Sequence, residues 1–191
     1  MFNSEKTTQV AAFFLWKEGG NYTMPYLKLM KLMYFAEKEG LFRFGYSITG
    51  DKMVSMPHGP VLSHTYNMIL DGSSHPDWER WISGESNYCV SLNAAGITEE
   101  NYIDKFDLLN KAERDLIAEI QAKYKNLTKW QIRDLTHRPD VCPEWTDPNG
   151  SSYPISLEDL FILNGKIDDL DAVKQRLSED NSYDELSQGL V

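Results

Sequence analysis

Between Met24-Pro25 and Gly40, the apolar residues Leu29, Leu32, Met33 and Ala36 recur at i, i+3, i+4 and i+7. That spacing lays a single apolar stripe along an α-helix and requires a core for it to pack against. Thr23 precedes Met24-Pro25 as an N-cap, with the proline in the first turn, where its missing N–H costs nothing. The helix is expected to end near Glu39, with Gly40 as the left-handed closing residue. Away from the stripe, Lys28, Lys31, Phe35 and Lys38 form a basic strip around an aromatic. One reading is a solvated face whose lysine stems cover apolar surface, with Phe35 rolled into the core. The other is a docking strip for an acidic partner, in which Phe35 is the desolvated anchor and the lysines steer encounter.

The rest of the chain reads as more helix, with little strand. Glu5 to Lys17 forms a first helix on Val10, Phe13, Phe14 and Trp16, stopped by Gly19-Gly20. Leu41 to Met56 suits an irregular link and a short strand or hairpin, and Pro60 is expected to open a third helix running to Asp71. The span from Asp71 to Asp107 reads as a loop-rich surface excursion with a strand over Tyr88 to Leu92. Asn110 with Glu113, and Thr128 with Gln131, have the form of capping boxes. The first opens a helix to Tyr124 whose buried side is marked by Leu109, Ala112, Leu116, Ile120 and Tyr124. The second opens a shorter helix through Thr136. A Pro-rich loop follows, then a helix capped by Ser156 and another from Asp168 to Leu177. The fold class is therefore α+β, a mainly helical single domain with a short β-hairpin or small antiparallel sheet. The domain is placed at 1–177, with an acidic, flexible tail at 178–191.

Composition narrows the function classes. The 191 residues carry 29 acids against 19 bases, a formal charge of −10. Such a surface repels nucleic-acid phosphate, so nucleic acid is a disfavoured partner. The most apolar N-terminal run, Val10 to Trp16, is too short to span a bilayer, which points to a cytoplasmic protein without a membrane partner. Cys89 and Cys142 read as reduced thiols. The histidines His58, His64, His75 and His137 fit no metal spacing, and no signature of a metal or other cofactor is present. Catalytic motifs are missing too, although Ser63 with His137 and an Asp, or Cys142 with His137, could in principle meet in space.

Three motifs follow in order: Leu29-Met30-Lys31-Leu32-Met33-Tyr34-Phe35-Ala36, then Pro57-His58-Gly59-Pro60-Val61, then Leu135-Thr136-His137 with Trp145 beyond. In this order the chain resembles the Panacea, or SocA-like, antitoxin domain, from Tyr26 to Trp145. It departs from the family pattern with Met33 and Phe35 where Leu and Tyr are usual, and with His58 in place of another aromatic. The resemblance implies an antitoxin that neutralises a cognate toxin, encoded beside it, by direct protein contact. It allows a homo-oligomer or a hetero-oligomer with the toxin. The alternative it carries is a protease adaptor or phage-borne (prophage) regulatory module. Leu29, Leu32, Met33, Tyr34, Ala36, His58, Gly59, Pro60, His137 and Trp145 are then scaffold, with a Tyr34–His58 hydrogen bond across the junction. Lys28, Lys31, Phe35 and Lys38 are the candidate partner contacts.

Overall fold

The computed structural model describes residues 1–71, 75–93 and 96–188. Its order is α1 (Ser4–Glu18), β1 (Thr23–Pro25), α2 (Tyr26–Phe44), β2 (Met53–Met56), β3 (Gly59–Leu62), α3 (Ser63–Leu70), α4 (Pro76–Trp81), β4 (Ile82–Glu85) and β5 (Cys89–Leu92), followed by α5 (Tyr102–Lys105), α6 (Lys111–Tyr124), α7 (Lys129–Thr136), β6 (Tyr153–Pro154), α8 (Leu157–Leu163) and α9 (Ile167–Gln188). The fold is α+β and mainly helical, with two small antiparallel sheets, β1-β5-β4 and β3-β2-β6.

α1 is buried on every side from Thr7 to Trp16 and packs against α2, α4 and α6. Its polar residues enter the core with their bonds made. Thr7 and Thr8 donate to the carbonyls of Asn3 and Ser4, and Gln9 pairs with Asp107 and the Leu108 amide. Asn3 caps the start and Gly19, at φ +73°, closes the end.

α2 runs past its expected stop. Gly40 is internal, and the left-handed closing residue is Gly45, whose N–H reaches the Leu41 carbonyl. A Cβ at Gly40 would lie 2.7 Å from Ile48 Cδ1, so this glycine lets the 46–50 loop fold back onto the helix. Glu37, buried in α2, holds that loop by accepting from the Ser47 hydroxyl and from the amide and hydroxyl of Thr49. Thr23 does not cap α2. It lies in β1 opposite Ser91, and Pro25 takes the cap position.

Pro60 does not open α3 either. It sits in β3 opposite Ser55, at the edge of its sheet, where a residue without an N–H breaks no ladder. The α3 amides of His64 and Thr65 are met instead by the Asp51 carboxylate, at 2.9 and 2.8 Å.

The span between Asp71 and Asp107, expected as a surface excursion, contributes described residues to the core. Trp78 is buried, α4 packs on α1, and β5 is the central strand of its sheet. Both capping boxes form. α6 turns Glu113, Leu116, Ile117, Ile120, Gln121 and Tyr124 inward and leaves Ala112 exposed, because the buried Glu113 pairs with Lys6 at 2.7 Å and sets the helix rotation. α9 continues from Ile167 through Ser178 to Gln188, so the segment from Ser178 expected as tail begins within a helix, and 189–191 lie outside the described residues.

Candidate functional site

The three motifs meet at one buried junction. Lys31, fully buried in α2, donates its ammonium to the Pro60 carbonyl at 2.8 Å. Gly59, at φ +89°, is pressed between Lys31 and Thr136 of α7. A Cβ there would overlap Thr136 Oγ1 and lie 3.2 Å from Lys31 Nζ. His137, the C-cap of α7, packs against Trp145 with ring centroids 4.3 Å apart and the ring planes tilted by 51°, and Trp145 Nε1 donates to the Met56 carbonyl at 3.0 Å. The Lys helix, the Gly-Pro hairpin and the Thr-His-Trp segment thus hold one another. Leu29, Leu32, Met33 and Ala36 line the core beneath them.

Next to this junction Glu144 is the hub of a second network. Its Oε1 accepts from the Tyr34 hydroxyl at 2.5 Å and from Lys38 Nζ at 2.8 Å, while Oε2 accepts from Lys38 and from Asn164, the C-cap of α8. Lys38 also reaches the Val141 carbonyl. Tyr34 therefore bonds to Glu144, and the expected Tyr34–His58 bond does not form. His58 is exposed in the hairpin turn, on the solvent side of Gly59.

The basic strip faces inward. Lys28, Lys31, Phe35 and Lys38 are 5, 0, 5 and 5% exposed. Lys28 donates to the Lys125 carbonyl at the end of α6, satisfying a helix C-terminus. Phe35 stacks on Tyr124 at 4.9 Å. The strip is covered because α6, α7 and the Pro-rich loop close over the face of α2 opposite its apolar stripe. In this conformation the four residues are buried and brace the interior.

The junction has the chemistry of a scaffold. Burial lowers the Lys31 ammonium to about 7, and it raises Tyr34, with Glu144 adding to that shift. Burial and then the neighbouring Glu144 push the Cys142 thiol up to about 12, which keeps it protonated and a poor nucleophile. His137 is lowered by burial and then by the neighbouring Lys31. Its Nε2 is buried without a partner. Ser63 opens α3, an element apart from the His137–Trp145 pair. Among the described residues, no group of three or more His, Cys, Asp and Glu could hold a metal ion.

A family model described as "Antitoxin SocA-like, Panacea domain" matches residues 29–146, the same span that contributes this junction. The chain belongs to the SocA-like Panacea domain family. No match was found among curated proteins or solved structures. Membership of the Panacea family suggests a non-catalytic role and, in general terms, a toxin as partner. Among the described residues, no helix is long and apolar enough to cross a membrane.

Sequence reasoning missed Glu144. Its signal was weak, a single acid between Pro143 and Trp145 in a loop that otherwise reads as turns.

Proposed function

We propose that this Panacea domain is a cytoplasmic antitoxin that neutralises a cognate toxin, encoded beside it, by forming a direct protein–protein complex. The observation that carries the reading is the family match over residues 29–146. The interior supports it. The motif residues hold α2, the β2–β3 hairpin and α7 together, and the neighbouring Cys142 thiol is buried and held protonated. That arrangement suits a rigid binding module, since a pre-organised surface loses little entropy on association.

Co-expression with the product of the adjacent gene tests the proposal. That product should arrest growth alone, growth should return when this chain is present, and the two should co-purify. Arrest that persists beside this chain would overturn it. Rescue without a stable complex would favour the protease-adaptor mode.

A further inference from the structure

We propose that the exposed face of α7, centred on Trp130, docks an acidic segment of the partner protein. This assignment rests on the antitoxin reading for the partner's identity, and on the structure for the surface.

Trp130 is 51% exposed on a helix whose opposite side is pinned by the fully buried Ile132 and Thr136. Lys129 Nζ lies 5.1 Å and Arg133 Cζ 4.9 Å from its ring, so two cations hold the indole in place while leaving half of it open. Pre-ordering of this kind lowers the entropy lost when a partner covers the ring.

Charge selects the partner's chemistry. From Ile120 to Arg133 the chain carries Lys123, Lys125, Lys129 and Arg133 and no acid, within a protein of 29 acids and 19 bases. Arg133 is paired with Asp134 at 2.5 Å, but none of the three lysines has an acid partner within ion-pair distance among the described residues. Lys123 and Lys125 are exposed, and Lys129 is half-buried. A tryptophan flanked by Arg and Lys, in a local reversal of the protein's charge, has the composition of an interface hot spot for an acidic surface. Nucleic acid fits less well, because three lysines release few counterions and the remaining surface repels phosphate.

Two measurements test the surface. In the first, an Asp/Glu-rich peptide containing leucines is titrated into the full chain, and the five tryptophan indole N–H resonances are followed by NMR, with Trp130 assigned from Trp130→Phe. The Trp130 resonance should move, the effect should fade with added salt, and Lys129→Glu should abolish it. A single-stranded oligonucleotide of equal charge should move it less. No movement at low salt, equal movement with the oligonucleotide, or self-association through this face without peptide binding would each overturn the proposal.

In the second, Trp130→Ala and Lys123→Glu/Lys129→Glu are compared with the native chain for binding the adjacent-gene product. Trp130→Ala should weaken the complex at least about 30-fold. A native chain that neutralises that product, with both variants equally effective, sinks the docking surface and leaves the antitoxin reading intact. A native chain that ignores that product yet moves Trp130 on acidic peptide sinks the antitoxin reading and leaves the surface standing.

Discussion

Replacing Gly59 with Ala should destabilise the domain by about 2–5 kcal/mol, through two separable effects. At φ +89° a side chain is strained, which costs about 1–2 kcal/mol. The new Cβ would also overlap Thr136 Oγ1, which is already held by the Arg133 carbonyl at 2.7 Å and so cannot swing away freely. Overpacking of this kind costs about 1–3 kcal/mol more. Gly19 isolates the first effect, because it sits at φ +73° with nothing within 4 Å of where its Cβ would be. Urea unfolding followed by tryptophan fluorescence gives both costs from the midpoints, provided the slope is unchanged. Gly59→Ala should cost about 1–3 kcal/mol more than Gly19→Ala. In a Thr136→Ala background the Gly59 substitution should cost at least about 1 kcal/mol less, since neighbours that share a contact are not additive. Equal costs at the two glycines, or strict additivity with Thr136→Ala, would refute the claim that the hairpin presses on α7.

Glu144→Gln should destabilise by about 3–5 kcal/mol, because it leaves the Lys38 ammonium buried without its countercharge. Adding Lys38→Met should restore most of the loss in the same denaturation assay, and no restoration would argue against the ion pair. Lys31 has a folded pKa of about 7 against 10.5 unfolded, so between those values the unfolded chain binds more protons and stability rises with pH. Above about pH 9 the raised Cys142 and Tyr34 act in the opposite sense, since their folded forms keep protons that the unfolded chain releases. The Lys31 contribution from pH 7 to 9 is therefore a gain of about 2 kcal/mol, which Lys31→Met should flatten. An identical slope in that variant would dismiss Lys31 as its source. Trp145→Phe should cost about 1–2 kcal/mol by leaving the Met56 carbonyl without its indole donor, read as a lower melting temperature.

Much of the helical framework was legible in the sequence because its signals are local. Asn110 with Glu113 and Thr128 with Gln131 mark helix starts within four residues, and the 3.6 period of Leu29 to Ala36 marks a buried face. The sheets were harder. Their strands are two to four residues long, and β1 finds its partner β5 more than sixty residues away. The burial of the lysine strip was hidden for the same reason. A lysine on the far side of an apolar stripe points to water unless a second layer covers it, and here that layer is α6, α7 and the loop carrying Glu144. Gly40 shows the limit of a residue-type rule. Glycine closes helices and also clears space inside them, and only the position of Ile48 distinguishes the two.

The inward-facing junction has a consequence for the surface above it. Residues that grip one another place no demand on the exterior, so the outer faces of α7 and its neighbours are free to drift while the keel beneath them stays fixed. Two such chains could carry every signature residue described here and present quite different outer faces. A signature of this kind identifies the vessel and leaves its cargo to be read from the hull.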